Sequence, residues 1–145
     1  PMLTICGRPL LEYIILHLKN HGISEIAINL HFNSQMIEQY FSDGSKFGVT
    51  IKYSYEKKLL GTAGALLPLK EWLGEESFIV QYGDILTNQN FHPMIEQHKK
   101  EQAVATLLLH RKQGSNSFIE IDNKRKIKVT RTSTFIYPRF DKIKK

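Results

Sequence analysis

Two stretches of this 145-residue chain hold residue types whose spacing could do chemistry. One is Glu56 to Leu67, EKKLLGTAGALL, and the other is Phe78 to Asp84, FIVQYGD. Glycines at 61 and 64 let a backbone come close to a flat or phosphorylated ligand, and an acidic residue just past a strand is well placed to hold a cation. Gly61 to Ala65 opens a helix, so its amides could face a base, a ribose or a phosphate. The same small residues could instead serve only to pack that helix closely on a sheet. Asp84 follows Gln81-Tyr82-Gly83, where Gly83 gives the turn freedom and keeps bulk away from a ligand. On its own, an aspartate there also reads as a turn former or helix cap.

The elements that must position these loops follow from periodicity. Met2 to Ile5 reads as a short extended segment, and Pro9 pre-sets the first turn of a helix. In that helix Leu11, Ile14, Ile15 and Leu18 recur on one face, with Glu12, His17 and Lys19 opposite. Gly22 stops it, and Ile23 folds back over the last turn. Ile26 to Leu30 is apolar enough for a strand inside a parallel sheet. Asn33 or Ser34 caps a second helix with an Ile37, Tyr40 and Phe41 stripe, ended at Gly44. Val49, Ile51, Tyr53 and Tyr55 alternate with Thr50, Lys52 and Ser54, a strand pattern.

A third helix begins near Thr62 and must kink or restart at Pro68. Phe78 to Gln81 and Ala103 to His110 read as strands, with a helix from Asn90 to Gln102 between them. Phe118 to Ile121, Ile127 to Thr130 and Thr134 to Tyr137 read as short antiparallel strands, the basic turn Asp122 to Lys126 being a solvated hairpin tip. Strand, helix, strand, helix is the rhythm of a doubly wound α/β sheet. In such sheets ligands settle beyond the carboxyl ends of the strands, the edge from which both loops leave.

Composition narrows the reading further. A hydrophobic content of 41% is enough for one domain with a real core, and no internal boundary or repeat is visible. The single Cys6 excludes an internal disulfide and suits a reducing compartment. There is no signal peptide and no run able to span a bilayer, so a soluble, cytoplasmic protein without membrane partners is expected. The net charge of +6 favours anionic ligands. Much of that excess sits in Lys124, Arg125, Lys126, Lys128, Arg131, Lys142, Lys144 and Lys145, away from the glycine turns. Neither an aromatic-rich single-strand surface nor zinc-finger spacing is present, which argues against nucleic acid. The histidines are scattered without metal-ligand spacing and read as surface or packing residues.

The opening PMLTICGRPLLEYIILHLKNHGI and the run FNSQMIEQYFSDGSKFGVTIKYSYEKKLLGTAGALLPLKEWL resemble the sugar-1-phosphate nucleotidyltransferase family, guanylyl and mannose type, over Pro1 to about Arg111. The resemblance implies a Rossmann-like doubly wound mixed sheet of the nucleotide-diphospho-sugar transferase type, incomplete at both ends. It implies that Glu56 accepts hydrogen bonds from a nucleobase edge, and that Gly61, Thr62, Ala63 and Gly64, with Tyr82 and Gly83, line the nucleotide site. The bland alternative for Glu56 is an exposed loop charge. Asp84 would be the catalytic carboxylate and a Mg²⁺ ligand. A carboxylate only accepts, which suits the side-by-side ring and exocyclic N–H donors of guanine, although uracil and thymine also offer one ring N–H. The substrates implied are a nucleoside triphosphate, GTP favoured, and a sugar-1-phosphate.

The chain also departs from the family pattern. Pro1 matches the proline of a Lys-Pro pair that follows a glycine-rich, arginine-bearing phosphate loop, and that loop is not in this sequence. Arg8 is no substitute, since it matches the residue before the helix proline. A Glu-Lys-Pro sugar-binding stretch and a second acidic metal ligand are not seen, and Thr134 and Tyr137 only loosely match a sugar-binding Asn-x-Gly-x-Tyr stretch. The expectation is a fragment, or ordered subset, of a longer enzyme. The rival is a non-catalytic nucleotide-sugar-binding regulatory subunit. Which base, which sugar and which oligomeric state, a homo-oligomer included, are left open.

Overall fold

The computed structural model describes residues 1–56, 58, 60–109, 118–124 and 126–131. They fall into two compact units, Pro1–Pro93 and Met94–Lys145.

The first unit begins with a two-residue antiparallel ladder, β1 (Thr4–Ile5) against β2 (Arg8–Pro9), closed by Cys6 and Gly7 at φ 48 and 81°. Both central residues left-handed is the arrangement whose twist suits a tight hairpin. Pro9 then leads directly into α1 (Leu10–Asn20). The apolar stripe of α1 is buried as its spacing requires, Leu11, Ile14, Ile15 and Leu18 all lying inside with Leu10. Its end is closed by Gly22 N–H donating to Lys19 O at 2.9 Å and Ile23 N–H donating to Leu18 O at 3.1 Å.

Glu12 corrects the expected polar face, because it is buried rather than turned to water. Its carboxylate accepts from Tyr40 Oη at 2.7 Å and lies 3.6 Å from the Arg8 guanidinium. A buried carboxylate needs such partners. The hydrogen bond to Glu12 in turn raises the Tyr40 phenol above its ordinary value.

β3 (Glu25–Leu30) and β4 (Thr50–Tyr55) form a parallel pair in the register Glu25↔Thr50 to Leu30↔Tyr55. The crossover between them contains α2 (Ser34–Phe41) and a short 3₁₀ turn at Ser45–Phe47. Phe41 is fully buried, with its ring centroid 5.2 Å from that of Phe47. Gly44 sits at φ 87°, and a Cβ there would lie 2.7 Å from Ile51 Cγ1, so both conformation and space demand glycine. The expected apolar face of β4 runs out before the strand does. Val49 and Ile51 are buried and Tyr53 half-buried, but Tyr55 is exposed and donates to Glu38 Oε2 at 2.8 Å, while Ser54 is the buried residue.

Beyond β4 the chain makes one helical turn, α3 (Gly61–Gly64), then a 3₁₀ turn at Leu67–Leu69 and a restart as α4 (Lys70–Leu73). The break falls at Pro68, where the missing N–H forbids a continuous ladder. Residues 78–81 carry no regular strand, contrary to the expectation from FIVQ. A ladder is a property of two chains of backbone, and apolar alternation cannot supply the second. The chain further on, at Gln89 and Phe91, is tied back to α1. Phe91 is buried beside His17 and His21, at ring centroid distances of 4.9 and 5.0 Å, and His17 Nε2 donates to Gln89 O at 2.9 Å. These histidines, with His92 at 5.1 Å from His21, are packing residues as expected.

α5 (His92–Glu101) starts two residues later than the sequence suggested, with Asn90 Oδ1 accepting from His92 N–H at 3.0 Å. In the second unit residues 103–109 carry no regular strand, a second correction of the same kind; His110 lies outside the described residues. β5 (Phe118–Ile121) and β6 (Ile127–Arg131) do form the expected antiparallel hairpin. Its tip is organised by Asp122 Oδ1, which accepts from Lys124 and Lys126 N–H, each at 2.8 Å. The expected strand from Thr134 to Tyr137 lies outside the described residues.

Candidate nucleotide site

Because β3 and β4 are parallel, their carboxyl ends share one edge, and Glu56 is the first residue beyond it. Its N–H donates to Leu30 O at 2.8 Å, and its carbonyl accepts from His31 Nδ1 at 2.7 Å. The side chain is held as firmly as the main chain. Oε2 accepts the Leu60 N–H at 3.0 Å, and the residue is only 7% exposed. Glu56 is therefore not an exposed loop charge. Oε1 is buried and has no hydrogen-bond partner among the described residues. Leaving a buried acceptor unmet costs on the order of 1–3 kcal/mol, so Oε1 is an unspent acceptor at this strand edge.

The Gly61–Gly64 turn starts one residue after the amide that holds Glu56. Its two glycines differ in their surroundings. Gly61 has φ +73°, and a Cβ built on it would meet nothing within 4 Å, so it serves conformation and stands beside open space. Gly64 serves packing, since a Cβ there would lie 2.7 Å from Leu60 Cβ. Ala65 N–H closes the turn on Gly61 O at 3.0 Å. The amides of Gly61, Thr62 and Ala63 belong to a first helical turn, whose N–H groups have no intrahelical acceptor, whereas Gly64 lies a full turn past the cap Leu60. Those first-turn amides are the donors available to a base, ribose or phosphate here. The Thr62 side chain lies outside what the structure describes.

Asp84 is built differently. Tyr82 to Ile85 form a turn with Ile85 N–H donating to Tyr82 O at 3.3 Å, braced by Gln81 Nε2 on Ile85 O at 2.9 Å. Asp84 is exposed on that turn, and its carboxylate enters no hydrogen bond or ion pair among the described residues. Gly83 lies against the N-terminal residue, a Cβ on it falling 3.5 Å from Pro1 Cγ. The Pro1 carbonyl in turn accepts from Leu11 N–H at 3.0 Å. No hydrogen bond or ion pair among the described residues joins Tyr82, Gly83 or Asp84 to Glu56 or to the Gly61–Gly64 turn.

An uncommitted, exposed carboxylate fits a magnesium ion in kind, since Mg²⁺ draws one or two carboxylates from a protein and completes its shell with water and phosphate. No group of three or more histidine, cysteine, aspartate or glutamate side chains gathers to hold a metal among the described residues. Asp84 would then be a single protein ligand. His31, read with the other histidines as a surface or packing residue, holds the Glu56 carbonyl. His31 stands directly after β3, and the only signal available was its place at the strand end beside the ligand edge.

The chain belongs to the nucleotidyl transferase family, whose profile matches residues 1–131. It is 33% identical over 119 residues to a UTP–glucose-1-phosphate uridylyltransferase of Synechocystis sp., covering 74% of this chain and 31% of that protein. It is 34% identical over 110 residues to a D-glycero-α-D-manno-heptose 1-phosphate guanylyltransferase of Aneurinibacillus thermoaerophilus, covering 75% and 47%. Among solved structures, HddC from Yersinia pseudotuberculosis, also determined in complex with GMP-PN, superposes with a TM-score of 0.71 at 18% identity, over 96% of this chain and 62% of that one. The fold is thus that of the nucleotide-diphospho-sugar transferases, a mixed α/β Rossmann-like arrangement. The chain spans about a third to a half of the length of these two curated relatives. Among the described residues, no helix is long and apolar enough to cross a membrane.

Proposed function

We propose that the intact protein transfers a nucleoside monophosphate from a nucleoside triphosphate to a sugar-1-phosphate, giving a nucleotide-sugar and pyrophosphate, with GTP the favoured donor. The observation that carries this reading is the buried, unpartnered Oε1 of Glu56 beside the first-turn amides of Gly61, Thr62 and Ala63. Oε1 and the remaining lone pair of Oε2 match the adjacent N1–H and N2–H donors of guanine. Relatives named for uridylyl, guanylyl and cytidylyl transfer all match this chain, so the choice of base is the finer part of the proposal.

In the reaction a phosphate oxygen of the sugar-1-phosphate attacks the α-phosphorus of the triphosphate. The bond from that phosphorus to the bridging oxygen of the β-phosphate breaks, and pyrophosphate leaves with the electron pair. Such transfers depend on alignment and on neutralising charge, and no protein nucleophile is required. Glu56 and the amides of Gly61, Thr62 and Ala63 fix the base end of the nucleotide. Asp84 would hold a magnesium ion, which supplies charge neutralisation to the phosphates when bound.

Pyrophosphate release by the intact protein, assayed with GTP, UTP, CTP, dTTP and ATP against mannose-1-phosphate and glucose-1-phosphate, tests this. GTP with mannose-1-phosphate is expected to be fastest. Absence of turnover with every pair would overturn the enzymatic reading, and calorimetric binding of a nucleotide-sugar without turnover would replace it with a regulatory subunit.

A further inference from the structure

We propose that His31 is a positioning residue for the nucleobase site, its imidazole holding the main chain of Glu56 so that Oε1 meets the base at a fixed place. The inference rests on the nucleotidyltransferase reading above and assigns a residue that reading does not use.

The observation lies in how the parallel ladder ends. Its register stops at Leu30↔Tyr55, yet Glu56 N–H still donates to Leu30 O at 2.8 Å. In a parallel ladder the next rung would run from the N–H of Phe32 to the carbonyl of Glu56. That carbonyl is taken by His31 Nδ1 instead, at 2.7 Å across 25 residues of sequence. A carbonyl only accepts, so Nδ1 carries the hydrogen. The main chain of β3 meanwhile turns away, with Asn33 at φ 54° and Phe32 81% exposed. A side chain thus takes the place of a backbone rung at the first residue beyond β4, on the edge where the carboxyl ends of the strands lie.

Closing the sheet alone would set no requirement on which residue His31 secures. The residue it secures is the one that carries a buried oxygen without a donor. Main-chain N, main-chain O and Oε2 of Glu56 are each bonded, which leaves Oε1 as its one polar atom without a partner among the described residues. Selection among bases needs a carboxylate that does not follow its ligand, since a site built around fixed hydrogen bonds rejects a mismatched partner far more strongly than a yielding one.

The experiment measures kcat and KM for each nucleoside triphosphate, KM for the sugar-1-phosphate, and the unfolding midpoint, in the intact protein carrying His31→Ala or His31→Asn. His31→Ala should raise KM for the preferred triphosphate about tenfold and shrink base preference by a similar factor, the loss of one directing hydrogen bond. Its KM for the sugar-1-phosphate should be unchanged and its kcat within about twofold of the parent, because the bond acts on binding of the base. His31→Asn, whose amide can donate to the same carbonyl, should recover most of the preference. Should His31→Ala fail to fold, His31→Phe keeps the ring without its N–H and is expected to give the same loss. Base preference intact in these variants while Glu56→Gln abolishes it would overturn the role of His31 and leave the nucleotidyltransferase reading standing. No turnover by the parent protein would overturn both.

Discussion

Glu56 and Asp84 are the two carboxylates on which the proposed chemistry rests, and they are housed in opposite ways. Glu56 is buried at the end of a parallel pair, with main chain and side chain both bonded and one oxygen left over. Asp84 stands exposed on a turn, its carboxylate uncommitted, while the turn beneath it is braced by Gln81 and walled by Pro1. The difference matches what each must do. Reading a base requires an acceptor that is already in place, because its discrimination comes from the penalty on a misfit. Binding a hydrated cation with phosphates tolerates a carboxylate that adjusts, because the ion and its other ligands complete the geometry.

That contrast can be broken at either end. The largest effect is expected from Asp84→Asn, which should lower kcat by at least about a hundredfold through loss of the charge that holds the ion. Raising the Mg²⁺ concentration should recover part of the rate, and a full rate at ordinary Mg²⁺ would remove Asp84 from the reaction. Glu56→Gln should lower kcat/KM for the preferred triphosphate about ten- to a hundredfold and erode base preference, while the Mg²⁺ dependence stays as in the parent. Equal losses on all bases would show that Glu56 has no reading role.

The glycine turn sharpens the same comparison on a smaller scale. Gly64→Ala should push Leu60, whose amide holds Glu56 Oε2, and raise KM for the triphosphate about threefold. Gly61→Ala meets no atom but must adopt a positive φ, so it should cost about 1–2 kcal/mol in denaturant unfolding. If Gly61→Ala disturbed base preference more than Gly64→Ala did, the division of labour between these glycines would be wrong.

The smallest expected effect defines the pH range in which the comparison can be made. Hydrogen bonds to Glu12 and Glu38 raise the Tyr40 and Tyr55 phenols above their ordinary value of 10.0. A folded-state value above the unfolded one means that this stabilisation is present below about pH 10 and is lost as pH rises through the raised values. Unfolding midpoints should fall in that alkaline window, and the fall should shrink in Tyr40→Phe with Tyr55→Phe. An unaltered alkaline fall in the double variant would show that other groups cause it.

Much of this was legible in the sequence where the signal is local. The α1 stripe, its closure at Gly22 and Ile23, the break at Pro68 and the β5–β6 hairpin each depend on residues within a turn or two of one another. The parallel pair was legible as well, from apolar runs of the right length. What the sequence did not show depends on distant partners. Residues 78–81 have strand composition, but strand structure needs a second backbone. Glu12 sits at a polar position of α1 and becomes buried because Tyr40, 28 residues away, covers it and donates to it. Tyr55 was counted with the apolar face of β4 and turns outward to Glu38. In the candidate site, the glycines could be picked out by type and spacing and Glu56 by the family resemblance, whereas His31 could not. A histidine after a strand has no periodicity to betray that its ring will stand in for a rung of the sheet.

Pro1 stands near two elements at once: a Cβ added to Gly83 would lie 3.5 Å from its Cγ, and its carbonyl accepts from Leu11 N–H in the first turn of α1. A spin label or fluorophore on the exposed thiol of Cys6, a few residues along, is expected to change its signal when phosphates arrive at Asp84 if this ring couples the two elements, and an unchanged signal would show that it does not.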